Sequence, residues 1–289
     1  MISRGRALAF AATVPLLTRC VFDRSAVRVG SKNFTESFVI AEIYAQSLEA
    51  TGMHVERLFN LGSTQIAIAA MRRGNIDLYP EYTGTALIDV LHLPPISNSH
   101  AAFEVVARAF KQRYDILWLA PSPMNDSQAL ATTRAVASQY GLATLSDCAR
   151  AAPRLRLATI QEFLARPDGL PGLARYYGGF RFREVRTYDI ALKYRALLEG
   201  AADVASAFST DGAIATEELV VLRDDRHFWS AYNVAPVVRA QTLAARPKIA
   251  TVLDAVSPRI TDHVAQTMNA QVEHSQADPA DVAAQFLKR

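Results

Sequence analysis

The sequence predicts an α/β protein built from two lobes. Between residues 27 and 90, short apolar runs alternate with segments whose apolar residues recur at helical spacing. This alternation is typical of parallel sheets covered by helices. A second observation is a repeated unit. Residues 70–84 and 196–212 each contain a helix end, a glycine, an aspartate shortly after it, an apolar strand and a hydroxyl-rich loop. Two lobes that carry this unit and face each other would enclose a cleft.

Length and composition agree with two modest globular domains. The chain has 289 residues, 50% of them hydrophobic, and a net charge of +3 with both signs interspersed. This pattern does not indicate a nucleic-acid-binding surface, so we expect no nucleic-acid partner, and we expect a monomer. Only two cysteines are present, and Cys148 is typical of a small buried apolar residue. The histidines lack ligand spacing, so we expect no metal and no other cofactor.

The N-terminal segment is predicted to be an export signal. Residues 7–17 form a mostly apolar run that is too short to span a bilayer. The residues before Cys20 resemble the cleavage box of bacterial lipoproteins, although Arg19 stands where a small residue is usual. Lipidation of Cys20 and ordinary cleavage within residues 21–26 therefore both stay open. We predict that residues 1–26 are a signal peptide, which places the protein in the periplasm or on the outer face of the cytoplasmic membrane.

The first predicted unit is a strand, a helix and a second strand. Residues 27–31 form the strand, and a polar loop that contains Lys32 follows it. Thr35 is positioned to cap an amphipathic helix over residues 35–48, and residues 55–59 form the second strand. Ligands bind to parallel sheets in the loops at the carboxyl ends of strands, so Lys32 is a candidate site residue.

The next unit ends in a loop that we expect to face a ligand. Residues 66–73 have helical apolar spacing, and Gly74 is predicted to end that helix. Residues 76–79 then read as a short buried strand, which Pro80 is expected to end.

Two phenols and two hydroxyls follow within one turn. Thr83 is positioned to cap a helix over residues 86–91, which would place Tyr82 and Thr85 near a helix N-terminus. Such a position favours anions, and a tyrosine adds an aromatic face for a cation, so a zwitterion would suit both. The alternative is that the tyrosines of this turn serve only packing.

A crossing between lobes is predicted in the middle of the chain. A helix is expected over residues 101–114, and prolines then break the regular pattern. Residues 129–132 resemble a strand, so we place the crossing near residues 125–129.

Five stretches, in this order along the chain, look like motifs of one protein family. They are GSKNFTE at 30–36, YPEYTGT at 79–85, RPDGL at 166–170, STDG at 209–212 and YNVAPVVR at 232–239. They resemble the substrate-binding proteins of ABC importers for glycine betaine, choline and carnitine, the osmoprotectant type. The resemblance implies a small quaternary amine as ligand and ABC permease subunits of the inner membrane as partners.

The resemblance also implies a fold. It is the two-lobe periplasmic binding protein fold of type II, with a mixed sheet flanked by helices in each lobe and two crossover segments. Lobe 1 would then comprise residues 27–128 and 232–289, and lobe 2 residues 129–231.

Site roles follow from the same resemblance. The carboxylate of the ligand would be held by Lys32, Thr85 and Arg166, and an arginine offers a planar donor fork for it. The trimethylammonium group would lie in an aromatic cage, because it cannot donate a conventional hydrogen bond. Two walls of that cage, and a backbone carbonyl that closes it, would come from Tyr82, Tyr232 and Asp126.

Two positions depart from the family pattern. Gln128 stands where relatives often carry a tyrosine, and Phe208 stands where they carry a phenol. Phenylalanine keeps the aromatic face, whereas glutamine loses it and can hydrogen-bond a group that trimethylammonium lacks. Carnitine or ergothioneine, a trimethylated amino acid with an imidazole ring, therefore becomes as plausible a ligand as glycine betaine.

Other interpretations remain open at this point. An enzyme of the dehydratase kind on the same fold would use Glu81 and Asp211 as acid and base. An effector domain of a transcription regulator shares the fold, but this chain has an export signal where a helix-turn-helix would be. Taken alone, Arg166 could pair with Asp168 or Glu162, Lys32 could be a solvated charge, and Phe208 could belong to the core.

Overall fold

A computed structural model describes residues 26–190, 192–217 and 219–288 of the chain. The predicted signal peptide lies almost wholly outside these residues, and Cys20 lies outside them. The strands are Val27–Gly30 (β1), Val55–Leu58 (β2), Leu78–Tyr82 (β3), Ile116–Trp118 (β4), Gln128–Thr132 (β5), Arg156–Thr159 (β6), Glu184–Thr187 (β7), Val204–Phe208 (β8), Val220–Val221 (β9) and Val234–Arg239 (β10).

Helices connect and cover the strands. The α-helices are Thr35–Glu49 (α1), Thr64–Arg73 (α2), Thr83–Thr85 (α3), Ser99–Tyr114 (α4), Arg134–Tyr140 (α5), Leu145–Ala151 (α6), Gln161–Ala165 (α7), Leu170–Tyr177 (α8), Leu192–Leu198 (α9), Gly212–Thr216 (α10), Ala240–Ala245 (α11), Lys248–Val256 (α12), Asp262–Glu273 (α13) and Pro279–Lys288 (α14). A π-helix at Ala86–Val90 continues α3, and short 3₁₀ turns are found at Ala152–Arg154 and Ser257–Arg259. Within the described residues, no helix is both long enough and apolar enough to cross a membrane.

The strands form two five-stranded sheets with matching topology. The first sheet has the order β2-β1-β3-β10-β4, and the second has the order β7-β6-β8-β5-β9. In each sheet the first three strands in this order are parallel. The fourth strand, β10 in the first sheet and β5 in the second, follows a crossover segment and is antiparallel to the third. The predicted α/β fold of two lobes, each with a mixed sheet flanked by helices, is confirmed. The residue boundaries of the lobes remain a prediction, and Gln128 already pairs with Phe208 in the second sheet.

The repeated unit has a structural explanation in its aspartates. Arg28 of β1 donates from its backbone nitrogen and its guanidinium to Asp77, at 2.9–3.0 Å. Arg156 of β6 makes the same three contacts to Asp203, at 2.7–2.9 Å. The hydrogen bonds from each arginine hold the pKa of its aspartate below the usual value. Each pair therefore ties two neighbouring strands of a sheet, β1 to β3 and β6 to β8.

The prediction that Pro80 ends the third strand is wrong, because β3 continues to Tyr82. In the antiparallel ladder of β3 and β10, Pro80 lies opposite Pro236. The carbonyl of Pro236 accepts from Leu119 on the other side of β10, so the two prolines form a pair that needs no hydrogen bond between these strands. The missing N–H groups therefore cost this ladder nothing.

Two predicted helix caps are also wrong, whereas the glycine stop is confirmed. Thr35 is the first residue of α1, and Phe34 precedes it as an N-cap without a side-chain bond. Thr83 caps no helix, because its hydroxyl donates to the carbonyl of Ala231 at 2.9 Å. Gly74 does end α2, in the left-handed conformation with φ 71°.

The two crossover segments lie side by side. Asn125 and Asn233 form an antiparallel bridge, and the Asn125 side chain accepts from the backbone nitrogen of Tyr232 at 2.6 Å. The Asn233 amide donates to the carbonyls of Ser122 and Met124 at 3.2 and 3.1 Å. These bonds place Tyr232 directly beside the crossing, at the base of the cleft.

Candidate functional site

A cavity of about 270 Å³ lies between the loops of the two sheets. All eight residues selected from the sequence line it, and most of them stand at strand ends or in the crossover segments. They are Lys32, Tyr82, Thr85, Asp126, Gln128, Arg166, Phe208 and Tyr232. The structure thus brings them to one place, and their contact with a ligand remains a prediction.

Lys32 is held by the protein inside this cavity. It is 5% exposed, and its ammonium donates to Glu81 at 2.8 Å and to Thr64 at 3.3 Å. The same ammonium lies over the rings of Tyr82 and Phe34, at 4.6 and 5.5 Å from their centroids. Lys32 is therefore not a solvated charge, and the face of Tyr82 already stabilises one cation.

The hydroxyl of Tyr82 leads into a group of buried polar side chains. It donates to Glu36 at 2.7 Å, and the Asn269 amide donates to the other oxygen of Glu36 at 2.9 Å. The Thr210 hydroxyl donates to Asp126 at 2.6 Å. Desolvation raises the pKa of Glu36 and that of Asp126 above their ordinary values. Asp126 thus lines the cavity, and its side chain is fixed by Thr210.

Tyr232 is a buried residue of the cavity lining. Its hydroxyl donates to Asp168, and its ring lies against Gly84. A Cβ atom at position 84 would come within 2.5 Å of the ring, so only glycine fits beneath it without displacing the ring.

Arg166 is surrounded by carboxylates. Its Nε and Nη2 donate to Asp168 at 2.8 and 2.7 Å, and its Nη1 donates to Asp89 of the π-helix beside the first sheet. Pairing with Asp168, which the sequence left open, is therefore found. The side chain of Arg166 is 18% exposed and lines the cavity, whereas that of Asp168 is fully buried. The contact with Asp89 joins the two lobes.

Gln128 and Phe208 are neighbours in the second sheet, opposite each other in β5 and β8. The ammonium of Lys193 lies 5.1 Å from the centroid of Phe208 and pairs with Asp211 at 3.2 Å. In the first lobe, Lys32 likewise lies over an aromatic ring, that of Tyr82, and pairs with a carboxylate, Glu81. Gln128 is 6% exposed and offers an amide, where an aromatic ring would give a cation–π face.

The lining of the cavity is acidic. Among the described residues of the lining, Lys32 and Arg166 are the basic ones, and both are already paired with carboxylates. The six acidic residues of the lining are Glu36, Asp89, Asp126, Glu162, Asp211 and Glu273. This acidic composition favours a cationic ligand, because carboxyl groups stabilise a positive charge that is placed among them.

The enzyme interpretation finds no support in the two carboxylates it would use. Glu81 accepts from Lys32, from the Tyr79 hydroxyl and from a backbone nitrogen. Asp211 accepts from Lys193, from the Tyr194 hydroxyl and from the backbone nitrogen of Phe208. Both carboxylates are thus held by several donors within their own lobes, which is typical of structural groups.

Several lining residues had no signal in the sequence. Glu36 belongs to the first motif, but nothing in that motif distinguishes it from a helix-start acid. Asn269 and Glu273 lie in α13, which returns to the cleft from the C-terminal part of the chain. Burial raises the pKa of Glu273 to about 7. No group of three or more metal-binding side chains occurs in the part of the chain that the structure describes.

A cleft of this kind, between two sheets joined by two crossovers, defines a binding protein for a small solute. A family model described as the substrate binding domain of the ABC-type glycine betaine transport system matches residues 25–289. The chain belongs to this family. Its members are extracytoplasmic substrate-binding proteins of ABC transport, not enzymes.

Individual proteins that are similar to this chain are named for ligands of the same kind. The glycine-betaine-binding protein of Pseudomonas aeruginosa is 34% identical over 272 residues, which cover 91% of this chain and 87% of that protein. A crystal structure of a glycine betaine/carnitine/choline ABC transporter protein has 30% identity and a TM-score of 0.80, covering 91% of this chain and 97% of that one. The ergothioneine transport permease/binding protein of Helicobacter pylori is 29% identical over 98% of this chain, which spans 51% of that longer protein.

Proposed function

We propose that this protein captures a quaternary-ammonium solute outside the cytoplasm and delivers it to an ABC permease. The solute is glycine betaine, choline, carnitine or a close analogue. The observation that supports this class is the lining of the cavity, in which carboxylates outnumber basic residues and aromatic faces are present. A quaternary ammonium is weakly hydrated and cannot donate a hydrogen bond, so these groups are its natural partners.

Tyr82 and Tyr232 are the proposed walls of the aromatic cage. Both rings are buried, at 2% and 3% exposure, and the hydroxyl of each is fixed by a carboxylate, Glu36 or Asp168. A fixed ring is preorganised, so the ligand need not order it on binding. Phe208 adds a further face from the second lobe.

Lys32, Thr85 and Arg166 are the proposed clamp for a ligand carboxylate. Arg166 is flanked by Asp168 of its own lobe, which the Tyr232 hydroxyl holds, and by Asp89, which reaches it from the other lobe. A ligand carboxylate would take the place of Asp89 on the guanidinium, because Asp168 is fixed by the Tyr232 hydroxyl. The clamp therefore works by exchange of one carboxylate for another.

Ergothioneine is the second candidate ligand. Gln128 lines the cavity and carries an amide, and the Helicobacter relative is named for ergothioneine. Unlike glycine betaine, ergothioneine carries ring N–H groups, which can donate hydrogen bonds to an amide oxygen.

A thermal-shift screen tests the proposal. The panel contains glycine betaine, choline, carnitine, proline betaine, ergothioneine and unmethylated amino acids. A true ligand at ~100 times its Kd should stabilise the protein by ~2.7 kcal/mol. Stabilisation by unmethylated amino acids alone would overturn the proposed ligand class.

The proposed location is the periplasm or the outer face of the cytoplasmic membrane, with an anchor at Cys20 as one form. Comparing the membrane-bound fraction of the parent with that of Cys20→Ser tests the anchor. Equal fractions would exclude lipidation.

A further inference from the structure

Glu36 and Asp126 form a pair of acids in the cavity that the proposed cage and clamp do not use as side chains. The Thr210 hydroxyl donates to Asp126 at 2.6 Å and is also within hydrogen-bonding reach of Glu36. Glu36, which is 5% exposed, also accepts from Tyr82 and from Asn269. The pair is thus held in place by neutral donors from both lobes.

Among the residues that the structure describes, no basic side chain forms a salt bridge with either member of this pair. Lys32 is paired with Glu81, and Lys193 is paired with Asp211. Two carboxylates in a desolvated site resist ionising together, and desolvation raises the pKa of both. The titratable groups that face the pair from the surrounding elements are Lys32, Glu81, Tyr82, Lys193, Asp211 and Glu273.

Asn269 gives an independent indication of a missing partner. Its side chain lines the cavity, is 3% exposed, and donates its amide to Glu36 and to the carbonyl of Thr210. Its Oδ1 is buried and has no hydrogen-bond partner among the described residues. Because a buried acceptor without a partner is costly, the carbonyl dipole is suited to a positively charged group in the cavity.

We propose that Glu36 and Asp126 are the counter-ion for the ligand's cationic group, and that a proton shared by the pair leaves as the cation binds. The inference rests on the proposed function in that the ligand is a cation. The proton passes to solvent, so the pair changes from one negative charge to two while the ligand adds one positive charge. The total charge of the site stays the same, which keeps a buried cation neutralised.

Calorimetry with choline tests the exchange. Choline has no group that titrates near neutral pH, so any proton that appears must come from the protein. Titrations at one pH in buffers of different ionisation enthalpy should show release of about one proton per choline bound. The affinity should rise about tenfold per pH unit below the pKa of the pair and level off above it.

Four variants identify the source of the proton. Asp126→Asn and Glu36→Gln should abolish the release, since each removes one member of the pair. Glu162→Gln changes the same charge at an exposed acid of the lining and should keep the release. Loss of the release in Glu273→Gln, with the release intact in Asp126→Asn, would assign the proton to Glu273 and overturn the proposal.

A measurement without ligand separates this inference from the proposed function. The folded pKa of the pair is raised, so its contribution to stability is lost as pH rises through that pKa. The melting temperature of the parent should therefore fall as pH rises above the ordinary range of a carboxyl group, and less so for Asp126→Asn. Choline binding without proton release would overturn this inference and leave the proposed function standing. Equal pH profiles of parent and variant would overturn the shared proton even if no quaternary amine binds.

Discussion

Each of the two proposed cage residues, Tyr82 and Tyr232, makes a contact within the protein that an alanine substitution would also remove. For Tyr82 the ring also supports the Lys32 ammonium, and for Tyr232 the hydroxyl holds Asp168 in place. Tyr82→Ala and Tyr232→Ala should each weaken binding of a quaternary amine by about 1 to 2 kcal/mol, because each removes a cation–π wall. Tyrosine-to-phenylalanine changes should cost less. Calorimetry on the four variants measures this, and parent-like binding by both alanine variants would refute the cage.

The proposed clamp can be tested at Arg166 by comparing how one substitution changes the binding of ligands with and without a carboxylate. Arg166→Ala should weaken binding of glycine betaine or carnitine by about 2 to 4 kcal/mol, since the ligand carboxylate loses a charged donor. Choline has no carboxylate, so its binding should change much less. Calorimetry of parent and variant with both ligands gives the comparison. Equal losses for choline and betaine would show that Arg166 serves the contact between the lobes through Asp89, and not the ligand.

Among the helices and strands, the local sequence predicted those features that depend on neighbouring residues alone. The glycine stop of α2 was predictable, because Gly74 adopts a left-handed conformation that other residues avoid. The continuation of β3 past Pro80 was not, since it depends on the register with β10, whose residues lie about 150 positions later. The same limit explains why Asn269 and Glu273 were missed, as α13 reaches the cavity only through the fold.

The repeated arginine–aspartate ties give a prediction at this scale. Asp77→Asn and Asp203→Asn should each lower the free energy of unfolding by about 1 to 3 kcal/mol, because charge-assisted bonds between neighbouring strands are lost. The folded pKa of each aspartate is lowered, so its contribution is present at neutral pH and is lost as pH falls through that pKa. Urea unfolding at neutral pH and below about pH 3 should show the difference from the parent shrinking in acid.

Glu199→Gln is the control for these two variants, because Glu199 directly follows α9 and its exposed pair with Arg195 joins no strands. It should change stability little. A loss as large as that of Asp77→Asn would mean that charge alone, and not the link between strands, accounts for the effect.

At the scale of the whole molecule, the two sheets share one topology and meet at the cavity. Lys32 and Tyr82 come from the first lobe, Arg166 and Phe208 come from the second, and Asp126 lies in a crossover. A ligand that contacts groups of both lobes binds the closed form more tightly than the open one, so it favours closure. The fold class followed from the sequence because alternation and repeat are global patterns. The pairing of Glu36 and Asp126 did not, because their donors Tyr82, Asn269 and Thr210 come from separate parts of the chain.

The central claim is that the cavity selects a quaternary ammonium group. Calorimetric titration with two matched pairs, glycine betaine against glycine and choline against ethanolamine, tests it most directly, because each pair differs only in three methyl groups. A primary ammonium is strongly hydrated and loses more on entering an aromatic site. At least one quaternary ligand should bind, with a Kd lower than that of its unmethylated counterpart by about 30-fold, or about 2 kcal/mol. Glycine and ethanolamine binding as tightly as their methylated forms would contradict the account.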